Sequence, residues 1–343
     1  KDQIDTVHSD TVVSLQGVSK TYLQQQRAEN IKDIIKNAVR PQKKIICALD
    51  QIDLEVEKGS FVAYAGPNGA GKSTTMKLIS GMLMPGKGKI EVFGKNPMRH
   101  RISIMRKMGV LFGHRTELWW DHPIISSFDW KRVVWDISRQ DYQRQLDYLT
   151  EHLDLKGILN TFARELSLGQ RMKADLALML LHRPSLILLD EPTIGLDVVA
   201  KQQMIGFLKR LHRDEETTIL VTSHDMDDLE NMAHRVVLIS EGKIAFDGDF
   251  DNLRAQNESL SRIIIHFEKP QDEPLADLCR QNKVHRMGQI NDALHTEYAY
   301  NPSSLSIQEL LEAMSKLDAV RDFELKKAPI EDVIASLYMK WQT

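Results

Sequence analysis

The run Gly66-Pro67-Asn68-Gly69-Ala70-Gly71-Lys72-Ser73-Thr74 concentrates glycines, one lysine and two hydroxyls on a single short segment. It follows an apolar run, Phe61–Tyr64, that predicts a strand, and it opens a predicted helix. That setting marks a phosphate-binding loop. Glycines let successive backbone N–H groups converge on phosphate oxygens, and a helix starting near Lys72 adds the positive end of its dipole there. Lys72 offers a mobile ammonium to the β- and γ-phosphates, and Ser73 offers a hydroxyl to Mg²⁺. The expected nucleotide contacts are therefore Gly66, Asn68, Gly69, Ala70, Gly71, Lys72, Ser73 and Thr74.

A second run, Leu186-Ile187-Leu188-Leu189-Asp190-Glu191, is an apolar strand ending in two carboxylates. Ligands of open α/β folds bind beyond the carboxyl ends of the strands, so both acids are expected there. Asp190 is the expected holder of Mg²⁺, through water. Glu191 is the expected general base that polarises the attacking water. Paired acids can also do no more than end a strand, but the phosphate loop upstream and Pro192 downstream favour chemistry. Loop and acids together predict hydrolysis of a nucleoside triphosphate.

Between them stands Leu166-Ser167-Leu168-Gly169-Gln170, which resembles the signature motif of the ABC ATPases, with Leu168 where that family usually has a second glycine. The resemblance runs from about Val12 to Asp249. It implies that the signature of one subunit completes the site of another. Ser167 would bond the γ-phosphate through its hydroxyl and Gly169 through its N–H, with Gln170, near which a helix N-terminus begins, also expected at the nucleotide. Gly195-Leu196-Asp197 resembles the D-loop, which puts Asp197 at the dimer interface, among the expected nucleotide contacts. His224, in Ser223-His224-Asp225, matches the switch histidine that contacts the γ-phosphate and orients water with Glu191. Tyr22 stands where the family places an aromatic that stacks on adenine. Gly109–Arg115 resembles the Q-loop, which couples the catalytic metal to the membrane partner, and the family's glutamine is replaced by His114. Imidazole can ligate a metal and changes charge near neutral pH. His114 is thus expected at Mg²⁺ or the attacking water, with simple filling of the glutamine's space as the alternative.

Leu118-Trp119-Trp120-Asp121, Ser167–Met172 and Glu191–Lys201 are similar to ATPases that serve type-2 ABC exporters, including a viologen-exporter-like group. The resemblance implies ATP and Mg²⁺ as cofactors and a homodimer that sandwiches ATP. It also implies separate transmembrane permease subunits, two different ones among the possibilities, and a station on the cytoplasmic face of the membrane. Export of a small molecule, drug or lipid-like substrate follows. An importer ATPase would share much of this core. A ribosome- or DNA-acting ABC protein usually carries two cassettes or a long coiled-coil insertion, and neither is visible in the sequence.

The elements that must position these residues can also be read. A chain of 343 residues predicts about two domains. It is 42% hydrophobic and 27% charged, an ordinary globular balance. A net charge of -3 gives no nucleic-acid signal. Cys47 and Cys279 cannot build a disulfide framework. The start, Lys1-Asp2-Gln3-Ile4, has no apolar leader, and no run approaches the ~20 apolar residues of a membrane span, so another chain is expected to supply the membrane part. Phe61–Tyr64, Leu186–Leu189, Ile219–Thr222 and Val236–Ile239 lack alternation, as strands of a doubly covered parallel sheet do. Val12–Leu15 and Ile52–Val56 read as further strands. Between them, residues 27–44 read as a basic amphipathic helix ended by Pro41, packed on its own domain or touching anionic lipid headgroups or a membrane partner.

The expected fold is α/β: an ABC-type P-loop core over 1–250, with a RecA-like parallel sheet, an antiparallel β subdomain and a helical subdomain over about 113–180. A small α+β unit over 251–343, ferredoxin-like, is expected to regulate or stabilise the dimer. Its strands read as Arg262–Phe267, Ala293–Tyr300 and Val320–Leu325, and its helices lie near Leu275–Gln281, Ser306–Ser315 and Ile330–Met339.

Overall fold

The computed structural model describes residues 10–25, 43–112, 115–256, 261–271, 274–287, 294–302, 304–327 and 330–341. The chain divides into two compact units, Lys1–Gly248 and Asp249–Thr343. Among the described residues no helix is long and apolar enough to cross a membrane.

In the first unit, β1 (Thr11–Gln25) pairs antiparallel with β2 (Lys43–Glu57) and with β4 (Lys87–Val92). Val13, Leu15, Val18, Ile52, Leu54 and Val56 bury one end of this hairpin. The strands run well past the expected Val12–Leu15 and Ile52–Val56. Lys43 and Lys44, expected in the basic helix, are strand residues opposite Gln25 and Gln24. The rest of that expected helix lies outside the described residues. The sequence hides this end of the hairpin because Ile45, Ile46 and Cys47 are all exposed. The strand is held there by backbone pairing, which leaves no apolar alternation to read.

The second sheet carries the expected phosphate loop and acidic strand end. Its strands are β3 (Phe61–Ala65), β5 (Met108–Phe112), β6 (Leu186–Asp190), β7 (Thr218–Thr222), β8 (Arg235–Ser240) and β9 (Lys243–Asp249), in the order β5-β6-β7-β3-β8-β9. Pairing is parallel from β5 through β6, β7 and β3 to β8. Every residue of β3 and β7 is buried, which is why these runs are continuously apolar rather than alternating. Helix α1 (Lys72–Ile79) follows β3 and α2 (Arg101–Met105) precedes β5. Between β5 and β6 come α3 (Ile124–Val134), α4 (Arg139–His152) and α5 (Leu168–Leu180). Then α6 (Val198–Glu215) leads to β7, and α7 (Met226–Met232) to β8.

The second unit begins with α8 (Phe250–Gln256) and ends with α11 (Ile330–Trp341). Between them run β10 (Ser261–Phe267), α9 (Ala276–Arg280), β11 (Val284–Arg286), β12 (His295–Tyr300), α10 (Ile307–Met314) and β13 (Val320–Lys326). The antiparallel order β11-β12-β10-β13 with this βαββαβ sequence is ferredoxin-like. Ile263, Ile265 and Phe267 point alternately into a core with Tyr298, Leu310 and Met314. The short β11 had no signal in the sequence, since only Val284 of its residues is buried.

One buried acid ties α5 to the segment after β5. Asp175 Oδ1 accepts from the Thr116 hydroxyl at 2.8 Å and from the Glu117 N–H at 3.1 Å. Burial pushes its carboxyl up from 3.8 to about 6, against the lowering effect of those bonds. The folded chain therefore binds this proton more tightly than the unfolded chain, and Asp175 costs stability as pH rises from the unfolded value through about 6. Asp175→Asn should gain stability relative to the wild type as pH rises from about 4 through about 6, measured by denaturant unfolding. A difference that does not change with pH would contradict the assignment.

Candidate functional site

Helix α1 starts at Gly71, whose φ of 114 serves as the cap. A Cβ here would press on the Ala48 carbonyl and the Leu49 side chain, so only glycine makes this turn. No side chain caps the helix. By contrast α5, α6 and α7 are capped by Ser167, Asp197 and Asp225. The first-turn N–H groups of α1 therefore have no side-chain acceptor, which fits an anion such as a phosphate. Asn68 and Gly69 form the exposed tip of the loop, and the buried Ala70 donates its N–H to the Pro67 carbonyl at 3.1 Å.

Lys72 curls back over this loop, donating to the carbonyls of Gly66 at 2.7 Å and Pro67 at 3.2 Å, which leaves one of its donors for an anion. Burial lowers its pKa, and the nearby charges of Glu191 and Asp190 oppose that shift. Tyr22, from β1, brings its hydroxyl to within 3.4 Å of Thr74 Oγ1 and keeps its ring exposed at the edge of the loop.

Asp190 is the last residue of β6 and pairs with Thr222 at the end of β7. The Thr222 hydroxyl donates to Asp190 Oδ1 at 2.7 Å. The Glu191 N–H points at the same threonine, whose carbonyl and hydroxyl oxygens both lie 3.1 Å away. Glu191 then takes a left-handed backbone, φ 57, at a cost of roughly 1–2 kcal/mol for a side-chain-bearing residue. This turn carries the carboxylate out of the strand line, and its Oε1 lies 2.5 Å from His224 Nε2. His224 keeps 45% of its side chain exposed while Glu191 keeps 15%, so the pair opens to solvent on the histidine side.

Ser73 and Asp190 line one cavity of about 720 Å³, together with Phe112 and Arg115. A hydroxyl and a carboxylate are hard oxygen donors of the kind Mg²⁺ takes. His114 lies outside the described residues, between Phe112 and Arg115. Lys72, Ser73, Asp190, Glu191 and His224 thus converge beyond the carboxyl ends of β3, β6 and β7.

The signature residues are organised locally. Ser167 Oγ accepts from the Gln170 N–H at 3.2 Å, and Gln170 Oε1 accepts from the Ser167 N–H at 3.0 Å. The Gln170 carbonyl oxygen, expected near the nucleotide, is committed to this capping box. Gly169, in the first turn of α5, faces Ala200. Leu168 packs on Gly195: a Cβ on Gly195, whose φ is +70, would sit 2.8 Å from Leu168 Cδ2. Gly195 thereby accommodates the Leu168 side chain, which stands where the resembled signature has a glycine. Asp197 caps α6, accepting from the Ala200 N–H at 2.8 Å.

Sequence reasoning missed the supports. Thr222 looked like one more residue of a buried strand, Thr193, Lys201 and Asp225 stood inside motifs without a role of their own, and Asp228 carried no motif. Lys201 Nζ meets Asp225 Oδ2 at 2.6 Å and Asp228 Oδ2 at 3.1 Å. The hydrogen bond to Asp225 leads the contacts that raise the Lys201 pKa.

The ABC transporter family profile matches residues 49–194. The ABC transporter ATP-binding protein NatA of Bacillus subtilis is 30% identical over 228 residues, 66% of this chain and 92% of that protein. The bacitracin transport ATP-binding protein BcrA of Bacillus licheniformis is 26% identical over 288 residues, 81% of this chain and 92% of that protein. Among solved structures, a dimeric ATP-binding cassette in a post-hydrolysis state with ADP and Pi aligns with a TM-score of 0.57 at 22% identity, over 69% of this chain and 98% of that one. That last likeness speaks to the fold.

Thr222→Val keeps the β-branched shape and removes the hydroxyl shared by Asp190 and Glu191. It should lower unfolding free energy by about 1–3 kcal/mol, and Thr222→Ser should lose less. A loss within about 0.5 kcal/mol, the scale of a neutral surface change, would contradict the role given to this hydroxyl.

Proposed function

The chain belongs to the ABC transporter ATP-binding proteins, and from that premise we propose that it hydrolyses ATP between two copies of itself to drive export through separate membrane permease subunits. The observation that carries the proposal is the Glu191–His224 contact set beside Asp190 and the phosphate-binding loop.

The α1 N–H groups and Lys72 bind the triphosphate, and the Tyr22 ring stacks on adenine. Glu191 accepts the proton of the attacking water, and His224 fixes the Glu191 carboxylate and reaches the γ-phosphate. Ser73 and Asp190, with His114 as a further ligand, hold Mg²⁺, which when bound neutralises phosphate charge. Ser167 and Gly169 of a second copy close over the γ-phosphate, with the α5 N-terminus behind them. The exposed Leu168, Val198 and Val199 beside them support a surface that a second copy covers.

Support for a permease partner lies after β5, where Trp119, Trp120 and Trp130 are exposed. The export direction rests on the similarity of the 118–121, 167–172 and 191–201 segments to type-2 exporter ATPases. On this reading the chain works at the cytoplasmic face of the membrane. The ATPase domain spans 1–250, and the ferredoxin-like unit over 251–343 regulates or stabilises the dimer.

Glu191→Gln should abolish steady-state ATP hydrolysis while keeping ATP binding, and size-exclusion chromatography with ATP should show a trapped dimer. Undiminished hydrolysis would remove Glu191 as the base. His114→Gln should keep hydrolysis and flatten its pH profile between about 6 and about 8, the range around the usual histidine pKa. An unchanged profile would leave His114 a space-filling residue.

A further inference from the structure

Lys201 touches neither the phosphate loop nor the hydrolytic pair, yet its ammonium joins the two segments that carry that pair. We infer that Lys201 is a positioning residue, tying the Asp197 loop to Glu191 and His224 so that contact with a second copy sets the geometry of hydrolysis. The inference rests on the dimeric ATPase reading above and adds to it a route from the interface to the reacting groups.

Lys201 sits one turn into α6, its N–H donated to the Asp197 carbonyl at 2.9 Å. Val198 and Val199 on the same turn are 70% and 65% exposed. Lys201 itself runs inward, with 26% of its side chain exposed, to two carboxylates. Asp225 adjoins His224 in sequence. One of its oxygens takes the Lys201 ammonium and the other accepts the Asp228 N–H at 3.1 Å, capping α7. Asp228 is 5% exposed, and its Oδ2 takes both Lys201 and the hydroxyl of Thr193, which is 4% exposed. Thr193 stands two residues beyond Glu191.

The ammonium thus closes a circuit from the Asp197 loop to the Glu191 segment on one side and to the His224 segment on the other. Asp225 and Asp228 are like charges held side by side, and Lys201 is the cation set between them. Without it the two acids repel, and the buried Asp228 carboxylate keeps only neutral partners. The repulsion falls directly on the backbone that aims His224. An outward turn of α6 that meets a second copy and an inward lysine on the same turn make a short lever, since moving the one moves the other.

The test is steady-state ATP hydrolysis by the full chain as a function of ATP concentration, for Lys201→Ala, Lys201→Met and Lys201→Arg. Misplacing the pair should lower kcat by ~10- to ~100-fold in the Ala and Met variants. KM for ATP should move less than ~2-fold, because ground-state binding is untouched. Arginine should restore most of kcat, since a guanidinium can bridge both carboxylates. Met keeps the aliphatic stem and decides the matter if the Ala variant does not fold. Thr193→Val cuts the circuit on the Glu191 side and should show the same fall in kcat alone. Unchanged kcat in Lys201→Met or Thr193→Val overturns the proposal. So does a parallel loss of kcat and ATP affinity, or failure of arginine to rescue, each of which marks a merely structural lysine. Glu191→Gln measured alongside separates the two readings: if it still hydrolyses ATP the underlying reading fails, and if it is inactive while Lys201→Met is fully active only the positioning role fails.

Discussion

The parallel pairing of β6 with β7, in a register that sets Asp190 against Thr222, is the constraint on which the site depends. Since β7 also pairs with β3, the acid-bearing strand end, the histidine-bearing strand end and the phosphate loop emerge side by side. A shift of one residue along β6 would exchange Asp190 for a neighbour and turn its side chain to the other face. Thr222 locks the register with two contacts: its hydroxyl reaches Asp190 and its carbonyl holds the N–H of Glu191. The left-handed turn at Glu191 is possible because that N–H is fixed, and the meeting with His224 follows from the turn.

This arrangement gives neighbouring acids different surroundings. Asp190 ends the strand, hydrogen-bonded by a hydroxyl and facing the cavity it shares with Ser73. Glu191 leaves the strand line and meets an imidazole. Environment, rather than residue type, separates the two carboxylates. Lys72, whose ammonium feels both charges, is buried, and its two carbonyl contacts hold it over the loop.

The loop before α1 and the acidic end of β6 were legible in the sequence because their residues are adjacent in the chain. The parallel strands were legible because burial on both faces leaves continuous apolar runs, as in β3 and β7. The ferredoxin-like unit showed through the alternation of Ile263, Ile265 and Phe267. The outer half of the β1–β2 hairpin was not legible, because Ile45 and Ile46 are exposed and pairing there rests on the backbone. Nor were the supports. Thr222, Thr193 and Lys201 act on partners far away in the chain, and a single sequence carries no record of such contacts. The fit of Leu168 on Gly195 is of the same kind, since each residue was visible but the contact between them was not.

The central claim is that each hydrolytic site is built from the phosphate loop of one copy and the signature of another. Mixing two inactive variants tests it directly. Lys72→Ala disables the loop and Ser167→Ala the signature, so each homodimer has two defective sites. A mixed dimer gathers both defects in one site and leaves the other intact. Co-assembly should restore ATP hydrolysis that neither variant shows alone, rising and falling with the fraction of mixed dimer. Mixtures that form dimers and stay as inactive as their parents would contradict it.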